Sequence, residues 1–155
     1  MKNKNGKKVE IYVKNEDMLA SIMEYRRMKE EDPDARIPEY LGSCFIKIAN
    51  RLATKGNFYG YTFKDEMVSD GILDCVKAVN NFDPEKTRNP FGYFTQIIYY
   101  AFIRRIKDEK VKYRTVLKYI HELDADDFGS DEESRNIVES LKRDVEEYQG
   151  DHKND

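Results

Sequence analysis

Apolar residues in this chain return every third or fourth position, and no stretch alternates apolar and polar residues two by two. The first spacing is that of one helix face; the second would be that of a half-buried strand. The pattern therefore predicts an all-α fold. "NEDMLASIMEYRRMKEE" puts Met18, Leu19, Ile22, Met23, Tyr25 and Arg26 at amphipathic spacing, with Asn15 as the expected N-cap. Two prolines in "DPDARIP" break that helix. "YLGSCFIKIANRLATK" aligns Leu41, Phe45, Ile48, Ala49 and Leu52, with Gly56 as the expected C-cap. "FKDEMVSDGILDCVKAVNNF" aligns Met67, Val68, Ile72, Cys75, Val76 and Val79 behind Thr62, read as an N-cap with Asp65 as its capping-box partner. Gly71 inside this third helix costs roughly 1 kcal/mol relative to alanine. Two explanations stand: a neighbouring chain approaches closely there, or the imperfection is tolerated.

The fourth helix is the unusual one. Asp83-Pro84 marks a turn, and Asn89-Pro90 reads as N-cap followed by proline at the first helical position. The stretch "NPFGYFTQIIYYAFIRRIK" then holds six aromatic residues and no acid, and it ends in Arg-Arg-Ile-Lys. At about 100° per residue, Phe91, Phe94, Ile98, Ala101 and Phe102 share one face, the expected core face. Tyr93, Ile97, Tyr100 and Arg104 share another, flanked by Gln96 and Ile103. From periodicity alone, Tyr93 and Tyr100 either cover a neighbouring helix or subunit, or form a surface for a ligand. Lys86, Arg88, Arg104, Arg105, Lys107, Lys110, Lys112 and Arg114 bracket the aromatic face. Cations attract phosphate without regard to sequence, and aromatic rings stack on bases, so nucleic acid is the candidate ligand.

After this helix the pattern weakens. "KYRTVLKYIHEL" is a fainter helical repeat, "DADDFGSDEES" an acidic loop expected to be mobile, and "RNIVESLKRDVEEY" a short last helix before a frayed end. The reading gives a basic flexible arm over 1–14, a helical domain over 15–112 and an acidic extension over 113–155, in part disordered. From residue 121 onward there are 13 Asp/Glu and 4 Lys/Arg, a net of −9; the whole chain stands at −3, so the first 120 residues carry +6. A basic body with an acidic tail suits an anionic partner for the body.

Other chemistries find little support. The 155 residues contain no apolar run of the roughly 18 needed to cross a bilayer, and "MKNKNGKKVE" has no apolar segment behind it to make a secretory signal. Cys44 and Cys75 sit in apolar helical contexts and read as buried reduced thiols of an intracellular protein. His121 and His152 are too far apart for zinc, and no C-x-x-C spacing exists. "DADDFGSDEESR" fails as a calcium loop, because Phe128 and Arg135 fall where oxygen ligands belong. "GNFYGYT" lacks the Gly-Lys-Ser/Thr of a phosphate loop. No nucleophile with a base and an acid stands out. The expectation is a protein that is not an enzyme and has no cofactor or metal.

The run "DEMVSDGILDCVKAVNNFDPEKTRNPFGYFTQIIYYAFIRRI", residues 65 to 106, resembles region 2 of bacterial sigma factors. The resemblance rests on an acid-Gly pair at Asp70-Gly71, a basic-Ala-Val step at Lys77-Ala78-Val79, Phe82, a basic turn and then an aromatic helix. Over residues 11 to 112 the chain is most similar to the late-gene sigma factors of T-even-type bacteriophages, through "GNFYGYT", "EMVSDGI", "NNFDPEKTRNP" and "FIRRIKDEK".

The resemblance implies a region 2-like helical bundle with a long recognition helix, acting in the cytoplasm of an infected bacterial host. Core RNA polymerase, through its clamp coiled coil, would meet Glu66, Ser69, Asp70 and Asn80. Promoter DNA would meet the fourth helix at a minus-ten-type element. Tyr93 would stack on a flipped base of the non-template strand. Gln96 and Ile97 would stand where housekeeping sigma factors carry a Trp pair. Tyr100 and Ile103 would reach the upstream end of the element, and Arg104 a phosphate. Lys86 and Arg88 would hold the displaced strand.

The chain departs from the pattern in three ways. The Trp pair is missing, which lowers stacking energy and calls for an easily opened A/T-rich element or a phage co-activator. No helix-turn-helix follows residue 112. The end, "EEYQGDHKND", lacks the apolar cluster by which the phage family binds a DNA sliding clamp, so either "IVESLKRDVEEY" makes that contact or it is absent. Two other classes remain open: a stand-alone helical nucleic-acid-binding protein, and a helical adaptor or inhibitor that uses the aromatic face against another protein.

Overall fold

A 33-residue helix dominates the molecule, and two side chains from different parts of the chain start it. In the computed structural model, which describes residues 12–123 and 129–151, this helix runs Pro90–Glu122. Asn89 Oδ1 accepts the Gly92 N–H at 2.9 Å, as its N-cap position predicts. Pro90 has no N–H to satisfy. The remaining early donor, Phe91 N–H, is accepted at 2.9 Å by Oδ1 of Asn15, 76 residues away. Asn15 therefore does not cap its own helix. It is the first residue of α1 (Asn15–Glu31), whose N-cap is Lys14 and has no side-chain cap.

The other elements are α2 (Glu39–Ala53), α3 (Lys64–Ala78), a single 3-10 turn (Val79–Asn81), α4 (Pro90–Glu122) and α5 (Glu132–Asp151). No strand occurs among the described residues, and the fold is all-α. Two further expected caps are corrected. Thr62 lies in a turn, and α3 begins behind Phe63 without a side-chain cap. Gly56 is three residues past the end of α2; Thr54 closes that helix by donating its hydroxyl to the Arg51 carbonyl at 2.8 Å. The last helix reaches Asp151, so residues 149–151 are helical rather than frayed. Its start is fixed by Asp131, whose Oδ1 accepts the Ser134 N–H at 2.8 Å. Of the acidic loop, residues 124–128 lie outside the described residues, as do 1–11 of the basic arm.

The chain divides into two compact units at Ile106/Lys107, within α4. In the first unit α1 packs on α2 and α2 on α3, and a phenylalanine cluster brings in α4. Phe45 of α2 lies 4.8 Å from Phe94, Phe82 6.0 Å from Phe94, and Phe58 5.1 Å from Phe102, ring centre to ring centre. All five rings are buried. Such pairs add about 0.5–1.5 kcal/mol each beyond the area they bury. Gly71 is where α3 meets α4: a Cβ there would stand 3.0 Å from Ile98 Cγ2 and 3.2 Å from Phe102 Cε1. Close approach is thus the reason for this glycine.

Among the described residues, packing already includes Tyr12 and Val13, ahead of the first helix. Val13 is buried, and the Tyr12 ring meets Phe91 edge-on and lies beneath the Arg51 guanidinium at 4.4 Å. In the second unit, Leu117 and Leu123 of the α4 end and Val138 and Val145 of α5 are buried. The last helix is longer than expected because this apolar side has a partner.

Candidate nucleic-acid interface

The expected core face of α4 is in place: Phe94, Ile98, Ala101 and Phe102 are fully buried, and Phe91 is partly so. The second face divides into two parts. Tyr93 and Ile97 are half-buried and lean on the core. The Tyr93 ring touches Phe82 at 5.2 Å and Phe94 at 5.0 Å, both edge-on. Two buried rings thus fix its orientation while part of it stays open to solvent. Tyr100 is 60% exposed. Gln96 is exposed beside it and Ile103 half-buried.

Arg104, also exposed, donates from Nη2 to Asp74 of α3 at 2.8 Å. Arg105 reaches Asp70 with two bonds, Nε to Oδ2 at 2.7 Å and Nη2 to Oδ1 at 2.9 Å. This paired geometry is the strong form of the Arg–carboxylate interaction. Both ends are about three-quarters shielded from water.

Lys86 and Arg88 lie on the turn that leads into α4, and both are exposed. That turn is built around Asp83, whose Oδ1 accepts the Glu85 N–H at 3.0 Å and whose carboxylate sits 3.5 Å from Lys86 Nζ. The Glu85 N–H, with a smaller contribution from Lys86, holds the Asp83 carboxyl below its usual range. The preceding 3-10 turn is tied to α1, where Arg26 donates to the carbonyls of Phe82 and Asn80, the latter at 3.4 Å.

The residues expected to meet polymerase fall on one side of α3. Glu66 and Ser69 are exposed, and Asn80 is exposed on the 3-10 turn. Asp70, held by Arg105, is half-buried. Two apolar side chains share this side: Leu73 is 51% exposed and Val76 38%. Val76 was expected in the core, but it sits one step past the edge of the stripe set by Met67, Gly71, Cys75 and Val79. Leu73 was not singled out at all, because a lone leucine gives no sequence signal until its neighbours are known to be polar and exposed. Met23 is likewise exposed, at 48%.

Sequence reasoning also passed over Tyr99. It lies 39% exposed between Phe58, 5.4 Å away, and Tyr100, 5.7 Å away. The Tyr-Tyr dipeptide was its only signal. Both cysteines are buried and free. Cys75 Sγ contacts the Phe94 carbonyl at 3.7 Å, and burial pushes its thiol up to about 12. A scan against protein-family models found no match for this chain, and a search of curated proteins found none either.

Proposed function

We propose that this chain is a sigma factor of region 2 type, acting in bacteriophage late transcription. In this reading it binds core RNA polymerase through α3 and recognises and opens a minus-ten-type element through α4. The observation that carries the proposal is Tyr93. Its ring is set edge-on against Phe82 and Phe94 and remains part-open, on an acid-free stretch of helix with Lys86 and Arg88 at its start. A ring whose rotamer is already fixed loses little entropy on binding. Extruding a base costs a few kcal/mol, and stacking on such a ring returns about 1–3 kcal/mol.

On the polymerase side, the mix of Glu66, Ser69 and Asp70 with exposed Leu73 and Val76 suits a protein partner better than a purely solvated helix face. A sliding-clamp contact receives no support from α5, because Val138 and Val145 are used inside the second unit.

Run-off transcription with core polymerase on an A/T-rich minus-ten template tests the proposal. A promoter-specific transcript is expected with this protein and none without it. No transcript, with or without a phage co-activator, would sink the reading. Duplex binding by the protein alone would favour the stand-alone nucleic-acid-binding class. Within the proposal, Tyr93→Ala leaves polymerase binding intact and lowers permanganate reactivity of thymines in the opened element. Unchanged reactivity would remove Tyr93 from the mechanism.

A further inference from the structure

The turn between α2 and α3 carries an aromatic side chain that the proposed interface does not use. Tyr59 is 79% exposed, the most exposed of the large apolar and aromatic residues described. Large rings usually bury at least part of their surface. The next residue, Gly60, has φ +91°, a left-handed conformation that suits glycine and fixes the bend.

This turn is not a free loop. The N–H groups of Phe58 and Tyr59 both donate to the Lys55 carbonyl, at 2.9 and 2.8 Å. Phe58 is 2% exposed and wedged edge-on against Tyr99 and Phe102 of α4. Tyr99 in turn meets Tyr100 edge-on. Ring contacts therefore run from Tyr100 through Tyr99 to Phe58, and Phe58 is covalently joined to Tyr59. No acidic residue occurs in the segment 54–64 or in 89–107, and the turn has Lys55 and Lys64 at its two ends. Exposed rings on acid-free segments edged by lysines match a strand that offers bases to stack on and phosphates to pair with.

We infer that the 55–61 turn is a second stacking platform, in which Tyr59 together with Tyr99 extends the α4 surface and receives an unpaired base of single-stranded DNA. The inference rests on the sigma-type reading of α4 but adds a separate element to it. The ring, not the hydroxyl, makes the contact. Because Tyr59 is exposed and Phe58 does the packing, substitution at 59 spares the fold.

The test uses the full chain with core polymerase and forked DNA carrying a T-rich single-stranded arm, with 2-aminopurine placed at successive positions. Tyr59→Ser is expected to weaken binding about fivefold or more and to restore 2-aminopurine fluorescence at one position. Tyr59→Phe is expected to bind like the native chain. Thermal melts check that each variant folds. If Tyr59→Ser binds unchanged while Tyr93→Ala weakens binding, the platform is refuted and the α4 reading survives. If the native complex shows no affinity for the forked DNA, both fall. If Tyr59→Phe is as weak as Tyr59→Ser, a hydroxyl hydrogen bond is responsible and stacking by the ring is overturned.

Discussion

Asn15 shows how one side chain can serve an element far from it in sequence. Its carboxamide accepts the Phe91 N–H at the start of α4, an interaction worth about 1 kcal/mol in comparable caps. Asn15→Ala is expected to lower stability by about that amount in urea melts, through α4 rather than α1. The residue type was legible as a cap; its client was not, because only the folded chain brings residues 15 and 91 together. Cys75 is a second residue-scale case. Its apolar setting predicted burial, and burial raises its thiol from 9.0 to about 12. Native protein at pH 8 should therefore resist alkylation at Cys75, and urea should expose it. The folded-state pKa is raised, so this contribution to stability is complete below pH 9 and is lost as pH rises toward about 12. Thermal melts across that range should show the decline.

Among elements, the α3–α4 contact is the most informative. Gly71 permits it, and Arg105–Asp70 and Arg104–Asp74 fasten it. Gly71→Val would push into Ile98 and Phe102, both fully buried, and is expected to cost about 1–3 kcal/mol. The two ion pairs are unequal. Arg104 is more than half exposed, which limits its pair to about 0.2–1 kcal/mol. The shielded, bidentate Arg105–Asp70 pair should contribute about 1.5–3 kcal/mol. Asp70 also belongs to the surface proposed for polymerase, so a single charge reversal would mix two effects. The exchange Asp70→Arg with Arg105→Asp separates them. It should regain most of the stability lost in Asp70→Arg alone, yet still bind core polymerase poorly. Restored polymerase binding in the exchanged protein would show that Asp70 acts only through the fold. Helix existence was legible here from spacing. The pairing of Asp70 with Arg105 was not, because the partners are 35 positions apart and the stretch between them includes a turn whose path the sequence leaves open.

For the whole molecule, charge distribution and fold are separate matters. The body carries +6 and the last 35 residues −9, an asymmetry that bears on how the protein meets a polyanion rather than on how it packs. Replacing the exposed Glu132, Glu133, Glu139 and Glu146 by Gln should raise affinity for non-promoter DNA several-fold at low salt. The difference should fade as salt screens it, measurable by fluorescence anisotropy across a salt series. The sequence by itself determined the helical class, the core stripes of α1 to α4 apart from Met23 and Val76, the start of α4 at Asn89-Pro90 and the existence of a second aromatic face. All of these depend on spacing within single helices, where geometry is fixed at about 100° per residue. Only the tertiary structure decided that Tyr93 leans on Phe82 and Phe94, that Gly71 exists for Ile98 and Phe102, and that Phe58 joins the turn of Tyr59 to α4. Those are contacts between elements, set by how the helices cross and what the turns allow, and periodicity along one helix holds no information about them.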